Sequence, residues 1–459
     1  MELRIDRQAL VPVVQQIVDA LADWLRRGEV SPGTRLPSVR QIARINLLSQ
    51  SSVVEACERL VAQGVLATRN GAGFFVAATA LAAQGQGDFS WFEGVGCKQG
   101  DLVGELKLGC GGLPESWRET DDLSYAIRQV SRTDMAGLFN YSTPLGLLAL
   151  RQQILKRLKQ LDIAVDENRI LTTAGASHGL DLIVRTLFKP GDCVVVESPG
   201  YSMLFDLLRL HGVSMVEVPR TPLGPDTEAL EALLRKYRPR GLFINSFYHN
   251  PTGSSLTLGV AQQVLQLARN HGVLVIEDDV YADLHSGPGT RLAALGIDDN
   301  VIYVGSYSKT LSSSLRVGFV VAGGDVISRL AEVKMISSMG ASRFCESVLA
   351  CLLASGAYRK LVQRQRQRLN TDREAALQVL EDAQWEVFGK PVGGLFIWAR
   401  SRKSDYAQVR TQARRFGVLL SCATAFSPTG QADDWQRINV AYACDPRARA
   451  FFQATARGG

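Results

Sequence analysis

The sequence predicts an α/β chain: a parallel β-sheet with crossover helices over its larger part, preceded by a small three-helix unit that ends in a β-hairpin. Three observations carry this. From about residue 106 to the C-terminus, short apolar runs alternate with helical patterns, as strands joined by helices do. Residues 1–76 hold helical periodicities followed by two short strands around Asn70-Gly71. Between the two units, Ala77 to Gly87 has low complexity and small side chains, so residues 77–105 read as a tether on which Trp91 and Phe92 dock.

Bulk properties narrow the function classes. The chain of 459 residues has room for two or three domains, and 46% of it is hydrophobic. No apolar stretch is long enough to span a bilayer, and the N-terminus lacks a signal-peptide apolar region. A cytoplasmic protein without a membrane partner is expected. Eight scattered cysteines without a Cys-x-x-Cys pair favour reduced thiols over a disulfide frame or a zinc site, and no metal is expected. The net charge of +6 permits contact with nucleic acid without demonstrating it.

In the N-terminal unit, Val14, Ile17, Val18, Leu21 and Leu25 repeat at helical spacing, and Gly28 and Pro32-Gly33 stop that helix. Ser38-Val39-Arg40-Gln41 reads as a capping box opening a short second helix to about Arg44. Ser49 to Ser52 offer caps for a third, with Val53, Ala56, Leu60 and Val61 as its buried face and Gly64 as its end. Leu66 to Arg69 and Gly73 to Val76 are the hairpin strands. Three helices and a hairpin make a winged helix-turn-helix, in which the third helix enters the major groove of double-stranded DNA and the wing touches the backbone. Between Val30 and Val76, Arg35, Arg40, Arg44, Arg59 and Arg69 face only Glu55 and Glu58, the cationic surplus phosphate contacts need. The alternative is a small helical interaction domain that never meets DNA.

Pro32-Gly33-x-x-Leu36-Pro37-Ser38-x-Arg40-x-x-Ala43, then Leu60-x-x-x-Gly64-x-Leu66 and Gly71-x-Gly73-x-Phe75-Val76, resembles the DNA-binding domain of GntR-type regulators. The resemblance implies DNA contacts from Arg35, Arg40 and Arg69, near Ser38, Ser49, Gln50 and Ser51. The family usually carries an arginine where this chain has Gln50, so either a phosphate contact is lost or Gln50 reads a base edge.

In the larger unit, five runs end in polar residues. Ile170 to Thr173 leads into Gly175-Ala176-Ser177, Cys193 to Glu197 into Tyr201, Leu242 to Asn245 into Asn250-Pro-Thr-Gly253, and Val273 to Ile276 into Asp278 and Tyr281. Val301 to Val304 leads into Ser306-x-Ser308-Lys309 and Arg316. Parallel strands put their carboxyl ends on one edge, where ligands bind. A lysine that forms an imine beside a cluster of hydroxyls and one guanidinium suggests pyridoxal 5′-phosphate (PLP), an aldehyde with a phosphate. Lys309 is then the Schiff-base lysine. Gly175, Ala176 and Ser177 at a helix N-terminus hold the phosphate with Ser306, Ser308 and Arg316. Asp278 faces the ring nitrogen, Tyr281 and Asn250 the ring oxygen, and Tyr201 the ring face. Glu277 and Asp279 compete with Asp278 for its role, Tyr201 is alternatively ordinary packing, and Ser308 a turn cap.

Asn250-Pro-Thr-Gly253, Asp278-x-x-Tyr281, Ser306-x-Ser308-Lys309 and Arg316-x-Gly318, in that order, resemble fold-type I aminotransferases from about Lys107 to the C-terminus. The resemblance implies three further assignments. Tyr141 reaches the phosphate of a partner subunit, so the protein is a homodimer. Arg437 holds the α-carboxylate of an effector, although a strand arginine in a surface ion pair is the plainer reading. Gly393-Gly394-Leu-Phe396-Ile-Trp398 lines the same side. A GntR-type unit, a tether and an aminotransferase-like unit at 1–76, 77–105 and 106–459 together resemble the MocR-like regulators. That implies a PLP-dependent transcriptional regulator responding to an amino acid, an amine or PLP itself. The alternative is a working aminotransferase with an accessory N-terminal domain.

Overall fold

The computed structural model describes residues 3, 5, 6, 12–27, 33–62, 65–69, 73–77, 105–117, 120–134, 137, 139–285, 289–297, 300–431 and 433–456. The N-terminal unit runs α1 (Val13–Arg27), α2 (Val39–Ile45), α3 (Gln50–Ala62), β1 (Leu66–Arg69) and β2 (Gly73–Val76). Ile17, Val18 and Leu21 of α1 pack with Ile42 and Ala43 of α2 and Val53, Ala56 and Leu60 of α3 in one core. Cys57 joins them, fully buried; its place one turn past Val53 is the signal that marks it as core. Ser38 accepts from Gln41 N at 3.2 Å, which is the backbone half of the expected capping box. Ser49 Oγ accepts from Ser52 N at 3.0 Å where α3 begins.

The hairpin pairs from Leu66↔Val76 to Arg69↔Gly73. An edge not foreseen adds to it, with Leu36 N donating to Phe74 O and Val76 N to Thr34 O, each at 2.9 Å. The Asn70-Gly71 turn, Gly28, Pro32 and Gly64, and the tether from 78 to 104 with Trp91 and Phe92 lie outside the described residues.

The larger unit is built on an eight-stranded sheet of order β3-β10-β9-β8-β7-β4-β5-β6. The strands are β3 (Ile170–Thr173), β4 (Cys193–Ser198), β5 (Ser214–Thr221), β6 (Gly224–Pro225), β7 (Gly241–Asn245), β8 (Leu274–Asp278), β9 (Val301–Ser306) and β10 (Gly318–Val321). Five of these are the apolar runs read in the sequence. Val194, Val195, Val196, Val275 and Val304 have no exposed surface, as strands covered by helices on both faces require. The run from β5 through β4, β7, β8 and β9 is parallel.

The expected parallel sheet carries two antiparallel strands that were not foreseen. β10 runs antiparallel to both β9 and β3, and β6 antiparallel to β5. The chain returns to the sheet from Lys309 within a few residues and without a crossover helix, so the returning strand has to reverse. Because β10 reverses against both neighbours, β3 still points the same way as β9, and their carboxyl ends share an edge.

A second, smaller sheet is antiparallel: β11 (Trp385–Val387), β12 (Phe396–Ser401) and β13 (Gln436–Asn439). The 26-residue helix Ala357–Asp382 leads to it. Its core gathers Phe396, Ile438, Phe451 and Phe452 with Leu106 and Leu108 from the start of the unit. Two further clusters of buried apolar residues lie against the large sheet, so residues 106–459 contain three among the described residues. No described helix is long and apolar enough to cross a membrane.

Candidate functional site

A cavity of about 510 Å³ opens at the carboxyl ends of β3, β7, β8 and β9. It is lined by Ala176, Ser177, Tyr201, Asn250, Asp278, Tyr281, Ser306, Ser308, Lys309 and Arg316. Gly175 precedes them as the N-cap of the helix Ala176–Leu187. All the cofactor-binding residues expected from one chain are thus brought together, from five strand exits.

Lys309 donates from Nζ to Gly111 O at 3.1 Å. Burial pulls its ammonium down to about 8, and Arg437 pushes the same way, while Asp278 opposes and Arg316 adds a smaller push. Half of the amine is therefore neutral near pH 8, the state a nucleophile needs.

The three consecutive carboxylates separate by strand alternation. Glu277 accepts from Leu292 N at 2.9 Å and Ala293 N at 2.7 Å, capping the short helix Leu292–Gly296. Asp279 takes Arg291 and, at 2.9 Å, Tyr303 OH. Asp278 points the other way and lines the cavity. Burial first, then Asp279, push its carboxyl up to about 7. A buried carboxyl in that state is poised for a cationic partner. Tyr281 is buried with its phenol raised by burial, and Tyr201 is hydrogen-bonded to Ser177.

At the other end of the donor set, Arg316 donates to Ser308 Oγ at 3.3 Å and to Ala174 O at 3.2 Å. Its backbone sits in the left-handed region at φ 49. A Cβ on Gly175 would lie 2.3 Å from Arg316 Nη2, and one on Gly318 2.6 Å from Gly175 C. Only glycines at both positions let the guanidinium lie against the helix N-terminus. Exposed Ser177 and Arg316, half-buried Ser306 and Ser308, and the free amides of the first turn are the donors a phosphate dianion requires. With Lys309 as amine and Asp278 as buried carboxyl, the residues present fit PLP.

Arg437 is not the surface ion pair of the plainer reading. It is buried on β13 between the rings of Phe396 and Phe426, at 4.7 and 4.9 Å. It donates to Gly109 O from Nε at 3.0 Å and from Nη2 at 2.8 Å, to Asn250 Oδ1 at 2.8 Å and to Ser421 Oγ at 3.1 Å. Phe396 and Trp398, from the Gly393-Gly394 stretch, are buried beside it on β12.

Tyr141 does not line this chain's cavity; its side chain is 75% exposed. In the N-terminal unit Arg35, Ser38, Arg40, Ser49, Gln50 and Ser51 are all exposed. Arg69 closes β1, and its side chain is outside what is described.

Four contributors were missed. Asn245 orients the site by donating to Asp278 O at 2.7 Å and accepting from Asn250 N at 2.8 Å. Below it, Glu197 pairs with Arg220 at 2.5 Å and accepts from Asn245 N at 2.8 Å. Asn439 donates to Cys110 O and Gly112 O, both at 2.8 Å. Its position two residues past Arg437 in a strand, hence on the same face, was the available signal. Gln365 donates to Thr310 O at 2.7 Å; nothing in its local sequence distinguishes it from its neighbours on the helix.

The model for aminotransferase class I and II matches residues 104–449, and that for bacterial regulatory proteins of the gntR family matches residues 13–76. The chain is similar to the HTH-type transcriptional regulator YdfD of Bacillus subtilis, 29% identical over 455 residues that cover 94% of this chain and 93% of that one. It is also similar to 2-aminoadipate transaminase of Thermus thermophilus, 30% identical over 306 residues, 65% of this chain and 76% of that one. Its fold matches the crystal structure of LysN, an alpha-aminoadipate aminotransferase also of Thermus thermophilus, with a TM-score of 0.71 at 24% identity, covering 82% of this chain and 97% of that one. The chain belongs to the class I and II aminotransferase family and carries a gntR-family unit at its N-terminus, which makes it a PLP-dependent, DNA-binding transcriptional regulator of the MocR kind.

Proposed function

We propose that this regulator senses an α-amino acid, or a close amino analogue, in the cavity around Lys309, and that the occupied state alters how its winged helices engage DNA. The observation that carries the reading is the spacing of two groups. A carbon placed as a Cβ on Gly111 would lie 3.6 Å from Lys309 Nζ and 3.9 Å from Arg437 Nη2. Both groups thus converge on one carbon-sized position, as groups that take the amine and the carboxylate of an α-amino acid must.

PLP, when bound, supplies an electrophilic carbonyl carbon and an electron-withdrawing ring. This chain's residues do the rest. Lys309 offers an amine that is half neutral near pH 8. Asp278 holds a negative charge for the protonated ring nitrogen, in an orientation set by Asn245 and by Val280 N at 3.3 Å. Ser177, Ser306, Ser308 and Arg316 hold the phosphate, and Tyr281 and Asn250 donate toward the ring oxygen. Arg437 receives the effector's carboxylate with the planar fork that group prefers. The effector shifts the protein only by its preference for one conformation.

The exposure of Tyr141 supports a homodimer in which that ring serves the second copy's cavity. Two winged helices on a dimer call for paired half-sites in the operator. Arg35, Ser38, Arg40, Ser49, Gln50, Ser51 and Arg69 are the contacts we assign to DNA, with residues 77–105 as the tether.

The test is Lys309→Ala. The variant should purify without visible absorbance and lose its response to amino acids while retaining basal operator binding in a mobility-shift assay. A response that survives unchanged refutes the reading. Robust amino-group transfer by the wild type with no effect on operator binding would favour a working aminotransferase instead. Regulation left untouched by Arg437→Ala would make PLP itself the signal.

A further inference from the structure

The stretch that follows the tether is tied to the site by its main chain. Leu106 N donates to Gly417 O at 2.8 Å, Leu419 N to Leu106 O at 2.8 Å, and Gly109 N to Leu419 O at 2.8 Å. Gly109 O takes two bonds from Arg437 and a third, at 2.6 Å, from Ser421 Oγ. Asn439 grips Cys110 O and Gly112 O, and Gly111 O accepts from Lys309. All four of these carbonyls are therefore held by side chains on β13 or by Lys309. There is no space for side-chain bulk at the first of them, since a Cβ on Gly109 would lie 2.3 Å from Ser421 N.

Counting donors shows what this means for a ligand. A guanidinium has five N–H groups. Arg437 already spends four bonds on Gly109 O, Asn250 and Ser421. A carboxylate bound by two parallel N–H groups has to take at least one of those bonds away. The Gly109 carbonyl is the acceptor with the largest share.

We propose that residues 109–112 act as a built-in competitor of the effector: the Gly109 carbonyl occupies Arg437 in the resting state, and an amino acid that claims Arg437 releases the stretch. This deepens the amino-acid reading above and rests on it. Because the stretch lies at the end of the tether, its release is felt first by the chain that leads to the winged helix. The coupling is reciprocal, so whatever loosens the stretch tightens effector binding by the same factor.

That sign separates competition from ordinary wall-building. A stretch that merely completes the site should, when loosened, weaken the effector. Asn439→Asp keeps the side-chain oxygen that accepts from Ala441 N at 3.1 Å and removes the donor to Cys110 and Gly112. Ser421→Ala removes the tie to Gly109 together with a bond from Arg437, and serves, with the exchange over 106–113 as its deciding readout, if a carboxylate at 439 fails to fold. The full-length PLP-loaded protein is titrated with L-alanine, L-phenylalanine, L-glutamate and L-lysine, which share the amine and carboxylate and span side-chain types. Binding is followed by visible absorbance, and amide hydrogen exchange is followed over residues 106–113.

The expected result is roughly three- to tenfold tighter amino-acid binding in either folded variant, the size of one lost hydrogen bond. Exchange across 106–113 should be faster without ligand, and in the wild type it should rise when amino acid is added. Equal or weaker binding by both variants despite faster exchange overturns the competition. A wild type whose absorbance responds to none of the four probes overturns the amino-acid reading itself, and the competition with it.

Discussion

Asp278→Asn tests the electrostatics of the site in protein freed of PLP. Burial and the neighbouring Asp279 push the Asp278 carboxyl from its ordinary 3.8 up to about 7. At about 1.36 kcal/mol per factor of ten, ionising it in the fold costs ~4 kcal/mol. The raised value means that the folded chain keeps a proton which the unfolded chain has released between about pH 4 and 7. Stability is therefore lost as pH rises through that window, and the whole cost is present at pH 8. Asparagine is of the same shape, still accepts from Val280 N and has no charge to bury. The variant should be more stable than wild type by up to ~4 kcal/mol at pH 8 and by only ~1.6 kcal/mol at pH 5. Glu277, also raised by burial to about 7, titrates in both proteins and adds only the smallest of the pushes on Asp278. Urea unfolding followed by tryptophan fluorescence at the two pH values reads this directly. The same variant should bind PLP more weakly, because the charge opposite the ring nitrogen is gone. No gain at pH 8, or an equal gain at both pH values, would refute the argument that Asp278 is an ionised group held at a cost for the cofactor.

Three further outcomes follow from the same geometry. With the Lys309 ammonium lowered to about 8, the rate of PLP loading should rise about fivefold between pH 7 and 8 and level off above 9, as the growth of visible absorbance will show. Gly109→Ala forces backbone apart at Leu420 and Ser421, so the melting temperature of the larger unit should fall, with a cost of about 1–3 kcal/mol. Arg40→Ala removes an exposed cation from α2 and should lower the slope of log affinity against log salt by about one, measured by mobility shift at several salt concentrations.

Much of the architecture was legible from local patterns. The helices of the N-terminal unit follow from apolar spacing, and β1 and β2 from the turn residues between them. The strands β3, β4, β7, β8 and β9 were apolar runs, because a buried parallel strand has no polar face to break the run. The polar residues at their ends were equally plain, which is how Lys309, Asp278 and Asn250 were found. β10 is not marked as a strand by its sequence, although Gly318 opens it and Arg316 precedes it by two residues.

The list of reacting groups and the edge on which they meet could be read from the chain alone, since both follow from strand direction and from side-chain chemistry. The folded arrangement settled the rest. It leaves Asp278 as the one of three adjacent carboxylates that lines the cavity, with Glu277 committed to a helix cap and Asp279 to Arg291. It brought Arg316 against Ser308 and Ala174 by reversing β10 between β9 and β3. It set Gly111 against Lys309 across 198 positions of chain and Gly109 against Arg437 across 328. Such pairings depend on which surfaces pack together, and no spacing along a chain records a contact between segments that far apart.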